Sequence, residues 1–289
     1  VAHWVPVNEP NVATMFGYAV GLHAPGRQLM FDALHVSHHL LLAHGRGAVA
    51  LRAAGAQSVG CANHHAPMWP ATEDEADVGA TKLFDALWNG MFLEPMLLGR
   101  YPADLQPLVE GLVQEGDLAT IRQPLDFYGV NYFMPMRVGA APEDSEMFFA
   151  LYDLVGYPET DFGWPVVPDA MREWLITFRA RYRAALPPLV VTECGAAYSG
   201  DPDADGRVED QARIDYLHGH LEAVAAACRR GVDVRALYVW SLLDTFEWTE
   251  GYAQRFGLVH VDPATQRRTP KESFHWLAGL IASQSPSVG

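Results

Sequence analysis

Two spacings of apolar residues divide the chain. Five short runs rich in β-branched and aromatic residues, bounded by polar or turn residues, read as buried strands. They are HWVPV (3–7), SVGCAN (58–63), FYGVNYF (127–133), LVVTEC (189–194) and ALYVWSLL (236–243). Between them the apolar positions recur at helical spacing. The pattern predicts helices over 30–54, stopped by Gly55, and over 73–88, ended by Asn89-Gly90. Further helices are predicted from Pro168 to Arg183, from Asp210 to Arg230 with Gly231 as stop, and over 271–282. Strand, long crossover and strand, repeated, is the signature of a parallel sheet.

Polar residues fall at one end of these strands. Asn8-Glu9, Asn63-His64, Asn131-Tyr132 and Glu193 all stand at strand C-termini, with Trp240 in the fifth strand and Glu247-Trp248 close behind it. In a (β/α)8 barrel the loops at that end surround one pocket. A doubly wound open sheet also binds ligands there, but commonly with a Gly-rich phosphate turn, and neither GxGxxG nor GxxxxGK[ST] occurs. The expectation is therefore an α/β (TIM) barrel, a (β/α)8 fold to which this chain contributes five βα units.

Composition narrows the function. With 49% hydrophobic residues the 289-residue chain can bury a large core, and no apolar run is long enough to span a bilayer. A net charge of −15 leaves nothing to neutralise phosphates, so no nucleic-acid partner is expected, and no membrane partner either. Cys61, Cys194 and Cys228 are odd in number and show no CxxC pairing, which suggests a reduced, cytoplasmic setting without disulfides. His35, His38 and His39 share a helical face near His44, and His64-His65 follow the second strand. The helix would lie outside the barrel, so packing or solvation is expected there, with no metal and no cofactor.

Two glutamates, Glu9 and Glu193, would meet at one barrel rim. Paired carboxyl groups flanking a bond are the apparatus of glycoside hydrolysis, one protonated and one ionised. Each alone could be a solvated loop residue. The stretch VWSLLDTFEWTEGYAQRFG (239–257) changes the balance: Trp240, Phe246, Trp248, Tyr252 and Phe256 interleave with Asp244, Glu247, Glu250 and Arg255. Aromatic faces suit the C–H faces of a sugar, and carboxylates accept bonds from its hydroxyls.

The motifs NEP (8–10), GVNY (129–132), VTECG (191–195) and VWSLLDTFEWTEGYAQRFGLVHVD (239–262) together resemble glycoside hydrolase family 1, the β-glucosidase family. GLHAPG (21–26), FLEPMLLGRYP (92–102) and DFGWPVVPDAM (161–171) extend the resemblance, in the family's order, over essentially the whole chain. It implies that Glu9 is the general acid/base and Glu193 the nucleophile. It implies that Asn8 bonds the sugar 2-hydroxyl, that Tyr132 contacts the nucleophile with Asn131 beside it, and that Trp240 lies under the sugar. Glu247 and Trp248 would grip the outer hydroxyls. Glu247 and Gln254 stand where members acting on 6-phosphorylated sugars carry Ser and Lys, which favours an unphosphorylated small β-glycoside or oligosaccharide as substrate.

The resemblance also places NEP at the end of the fourth barrel strand. Residues 1–289 are thus expected to be a single catalytic domain whose first three strands, with a sugar-contacting Gln and His and an Arg near the nucleophile, lie outside this chain. On that view the isolated polypeptide would be inactive or aggregation-prone. Cys194 follows the nucleophile where the family usually has Asn; altered tuning is expected, and a reactive catalytic cysteine is the sharper alternative. A non-catalytic carbohydrate-binding protein and a transglycosidase with the same site complete the alternatives.

Overall fold

The computed structural model describes residues 1–145 and 147–284. Nine strands are found among them: β1 (Cys61–His64), β2 (Met68–Pro70), β3 (Tyr128–Asn131), β4 (Met136–Ala140), β5 (Phe149–Tyr152), β6 (Leu189–Cys194), β7 (Val234–Val239), β8 (Val259–Val261) and β9 (Arg268–Pro270). β1, β3, β6 and β7 form a parallel sheet in that order. The first predicted strand joins its edge through parallel bridges of Trp4 with Val59 and Asn8 with Ala62. Pro6, which has no N–H to donate, lies between those two bridges. The five strands thus lie side by side in chain order, as five successive units of a (β/α)8 barrel do.

Helices cover the outer face. Leu34–Ala53 buries Leu34, Ser37, His38, Leu41, Leu42, Gly45 and Ala48, one stripe at helical spacing. Gly45 is required on it, because a Cβ there would stand 2.0 Å from the carbonyl oxygen of Thr120. Pro168–Tyr182 and Gln211–Arg229 pack on each other and bury Met171, Leu175, Phe178, Tyr216, Leu217 and Val224 against Tyr128, Val130, Leu189 and Val191 of the sheet. The inner face is far more open. Trp4, Tyr238 and Leu242 are exposed, the last two by more than half of their surface.

One helix boundary differs from the sequence expectation. Glu75–Asp85 does not end at Asn89-Gly90 but continues through a widened turn, Ala86–Gly90, into Met91–Leu98, and stops at left-handed Gly99. Asn89 is used for its side chain instead. It accepts from Ala66 N–H, donates to Ala66 O and bonds His65 in the interior, and donates to the half-buried Asp85. Burial with four partners outweighs the turn preference of an Asn-Gly pair. The sequence also gave no sign of the sheet β2–β4–β5 or the hairpin β8–β9. Three of these strands, β2, β8 and β9, have only three residues each, too few for a hydrophobic period to show.

Candidate active site

Glu9 ends the first strand in the left-handed region, φ 46° and ψ 57°. Pro10 follows it and opposes the right-handed helical conformation for the residue before it. Such strain in a non-glycine residue is concentrated at functional sites. It turns the Glu9 side chain out of the strand register toward β3. There Asn131 donates its side-chain amide to Glu9 Oε1 at 2.8 Å and to Asn8 Oδ1 at 3.2 Å.

Glu193 reaches the same place by a bulge. β3 and β6 are in register from Tyr128–Leu189 to Val130–Val191, after which Asn131 pairs with Glu193 and one residue of β6 is left over. The extra residue is Thr192. Two successive β6 residues therefore act on the same neighbour: Thr192 donates its hydroxyl to Asn131 Oδ1, and Glu193 receives the amide of Asn8 at 3.4 Å and the influence of Asn131. Bulges are known for re-aiming side chains beside active sites. Cys194 then points outward, fully buried, with its Sγ 3.7 Å from the hydroxyl of Tyr216.

Trp240 follows β7. Its N–H donates to Cys194 O at 3.0 Å, and its side chain donates to Glu247. The approach is so close that a Cβ on Gly195 would lie 1.9 Å from the Trp240 carbonyl oxygen. Trp248, mostly exposed, stacks on His23 with centroids 5.7 Å apart and planes at 20°.

Three carboxylates share this space. Burial pushes Glu9 up to about 7, against the lowering bond from Asn131, and the charge of Glu247 adds to the rise. Burial and then the charge of Glu9 push Glu193 up to about 8, opposed by Asn8 and Asn131. Burial also raises Glu247, which Trp240 partly offsets. The charges that act on these three groups are those of other carboxylates, Glu9, Glu247 and Glu250. Like charges brought together out of water cannot all stay ionised, so at neutral pH the pair Glu9–Glu193 retains a proton. Burial is the first cause of both rises, and the charge of Glu9 adds to that of Glu193.

Seven of the eight sequence-derived site residues, Asn8, Glu9, Asn131, Glu193, Trp240, Glu247 and Trp248, thus gather at one strand rim. Tyr132 does not. Its hydroxyl donates to Val167 O at 3.2 Å, its ring packs near His220, and its side chain is fully buried on the outer face. Side chains alternate along a strand, so if Asn131 faces inward its neighbour must face the helices. Asn63 is likewise turned outward, donating to the Tyr128 hydroxyl at 2.7 Å. Thr192 was missed by sequence reasoning; a hydroxyl directly before the strand-end glutamate was its only signal. Among the described residues no group of three or more His, Cys, Asp or Glu is placed to hold a metal ion. His38 is instead buried between the Tyr101 hydroxyl at 2.7 Å and Asp117 at 3.0 Å.

Consecutive parallel strands with paired carboxylates under one amide define a barrel protein of the (β/α)8 type with its site at the C-terminal rim. The chain belongs to glycosyl hydrolase family 1, whose model matches residues 1–286. It is 40% identical over 282 residues to a β-glucosidase of Agrobacterium sp., covering 95% of this chain and 61% of that protein. It is 38% identical over 307 residues to a bifunctional β-D-glucosidase/β-D-fucosidase of Bifidobacterium breve, covering 98% and 64%. The crystal structure of a psychrophilic β-glucosidase from Micrococcus antarcticus superimposes with a TM-score of 0.93 at 40% identity, covering 99% of this chain and 66% of that one. The chain therefore spans less than two thirds of the length of each of these relatives.

Proposed function

We propose that the protein containing this chain is a retaining β-glycosidase that removes terminal non-reducing β-D-glucosyl residues, with galactosyl or fucosyl residues as further substrates. The observation that carries this is the convergence of Glu9 and Glu193, from the first and the fourth predicted strands, on the single amide of Asn131. Double displacement uses two carboxyl groups about 5–5.5 Å apart, and a shared amide neighbour supports that reading.

In this mechanism Glu193 attacks the anomeric carbon while Glu9, protonated, gives its proton to the departing glycosidic oxygen. The glycosyl ester neutralises Glu193. Glu9 then loses the repulsion that favoured its proton, and serves as base for the water that cleaves the ester. Glu193 must be the ionised member at the outset, and a facing cation would hold it so. The resemblance assigns that part to an Arg from the portion of family members that this chain does not span. Trp240 supplies a face for the sugar ring, and Glu247 with Trp248 accept and donate to its outer hydroxyls. The β-glucosidase and β-fucosidase names of the relatives support the same sugar class.

The test is a 2-deoxy-2-fluoro β-glucoside applied to the intact protein. Mass spectrometry is expected to find the sugar esterified to the peptide containing Glu193. No adduct, or one on another residue, overturns the mechanism.

A further inference from the structure

Glu247 and Trp248 sit on a long loop with little packing of its own: Phe246, Trp248 and Tyr252 are all more than half exposed. What closes this loop is polar. Asp244, three residues before Glu247, has a buried carboxylate whose Oδ1 accepts the N–H of Gly257 at 2.9 Å and Nζ of Lys271 at 2.9 Å. Its Oδ2 accepts the N–H of Val261 at 3.4 Å. The main chain is tied at the same level, Asp244 N–H donating to Val259 O and Lys271 N–H to Leu258 O. The loop thus leaves at residue 244, returns at 257, and is pinned across its neck.

Lys271 and Asp244 are 1% and 8% exposed, and a second buried pair stands behind them. Arg213 bonds Asp210, both 1% exposed, and its other nitrogen donates to the carbonyl oxygens of Arg255, at 2.6 Å, and Tyr198, at 3.1 Å. Asp210 in turn accepts the N–H and hydroxyl of Ser273 at the start of the helix Glu272–Gln284. Arg255, on the returning leg, faces Asp201 at 3.3 Å and Asp244 at 3.8 Å. Two ion pairs therefore hold the loop base to two barrel helices. Burying ions is costly, and an apolar cluster of the same size would stabilise the fold as well or better. Directional bonds, however, fix a position that a greasy contact does not.

We propose that the Asp244–Lys271 pair is a positioning device for the sugar-reading loop: it sets Glu247 and Trp248 against the carboxylate pair, so discrimination among outer hydroxyl patterns depends on a salt bridge that touches no sugar. This rests on the glycosidase function proposed above. Burial, with the nearby charge of Arg213, lowers Lys271 to about 8, against the attraction of Asp244 and Asp210. Asp244 faces it from the loop, with Arg255 on the far side of that carboxylate, and Arg213 and Asp210 act on it from the helix Gln211–Arg229 and its start. The clamp accordingly weakens as pH rises through about 8.

The experiment compares Asp244→Asn, Lys271→Met and Lys271→Arg in the intact protein, using an aryl β-glucoside and the β-xyloside that lacks its hydroxymethyl group. For the first two variants, KM for the glucoside is expected to rise about ten-fold with kcat within about three-fold, and the glucoside/xyloside preference to fall about ten-fold. Lys271→Arg keeps most of the preference, and in the wild type the preference declines above pH 8. Amide hydrogen exchange is measured in parallel, with Gly257 and Val261 expected to exchange faster in Asp244→Asn. Active variants with unchanged preference and KM overturn the proposal. If the wild type turns over no glycoside, the functional reading fails instead, and protected Gly257 and Val261 amides in Asp244→Asn would still overturn the clamp.

Discussion

The hydroxyl of Thr192 donates to Oδ1 of Asn131, and with the amide's bonds to Asn8 and Glu9 it sets which end of Asn131 faces Glu9. With its oxygen occupied, Asn131 presents N–H to the carboxylate. Without that bond the amide can rotate and place oxygen against oxygen. Thr192→Val keeps the shape and removes the donor. We expect kcat/KM for an aryl β-glucoside to fall about ten-fold with the fold unchanged by circular dichroism, the loss typical of one hydrogen bond at a reacting group.

The carboxylate pair gives stability a definite dependence on pH. Glu9 and Glu193 rise from an ordinary 4.5 to about 7 and about 8 on folding. Between these limits the folded chain binds more protons than the unfolded one, so stability falls as pH rises from 4.5 to 8. The loss for Glu9 alone is about 3 kcal/mol at most. Glu193→Gln removes a charge from the cluster. Its melting temperature should match the wild type near pH 4.5 and exceed it by about 5 °C at pH 8, as followed by thermal melts across that range.

Gly195 lets two strand ends close on each other. A methyl group there would stand 1.9 Å from the Trp240 carbonyl oxygen, a main-chain atom that cannot move aside. Gly195→Ala should therefore push β6 from β7 and misplace Glu193 relative to Trp240. A displacement of about 1 Å at a reacting group costs on the order of 100-fold in rate, and steady-state kinetics on the purified variant would reveal it.

The three thiols should behave differently. Cys228 is exposed, whereas Cys61 and Cys194 are buried and pushed up to about 12 by that burial. A thiolate is the reactive form. Titration with a chromogenic disulfide should find one of these three thiols in the native state and all three after denaturation, and the activity proposed for the intact protein should survive modification of Cys228. Loss of activity with modification of Cys194 would revive a catalytic role for that residue.

Much of this molecule is legible from residue order alone. Strand and helix periods follow from which positions are apolar, and five strands of suitable spacing imply a parallel arrangement because only crossovers of that length fit between them. The bounds of LVVTEC match β6 residue for residue. The glutamates, the NEP and VTECG motifs and the aromatic run are likewise local, and they name the chemistry. Other features are relations between distant segments. The bulge that brings Thr192 onto Asn131 depends on the partner strand, because register is a property of a pair. The outward turn of Tyr132 depends on which face of β3 the helices cover, and Asn89 is drawn out of a turn role by the groups that surround it once buried. The charge states of Glu9 and Glu193 are set by burial and by the neighbours that folding brings beside them. A sequence records what each residue can donate or accept, whereas low dielectric and proximity, which decide what it does, arise only when the strands are assembled.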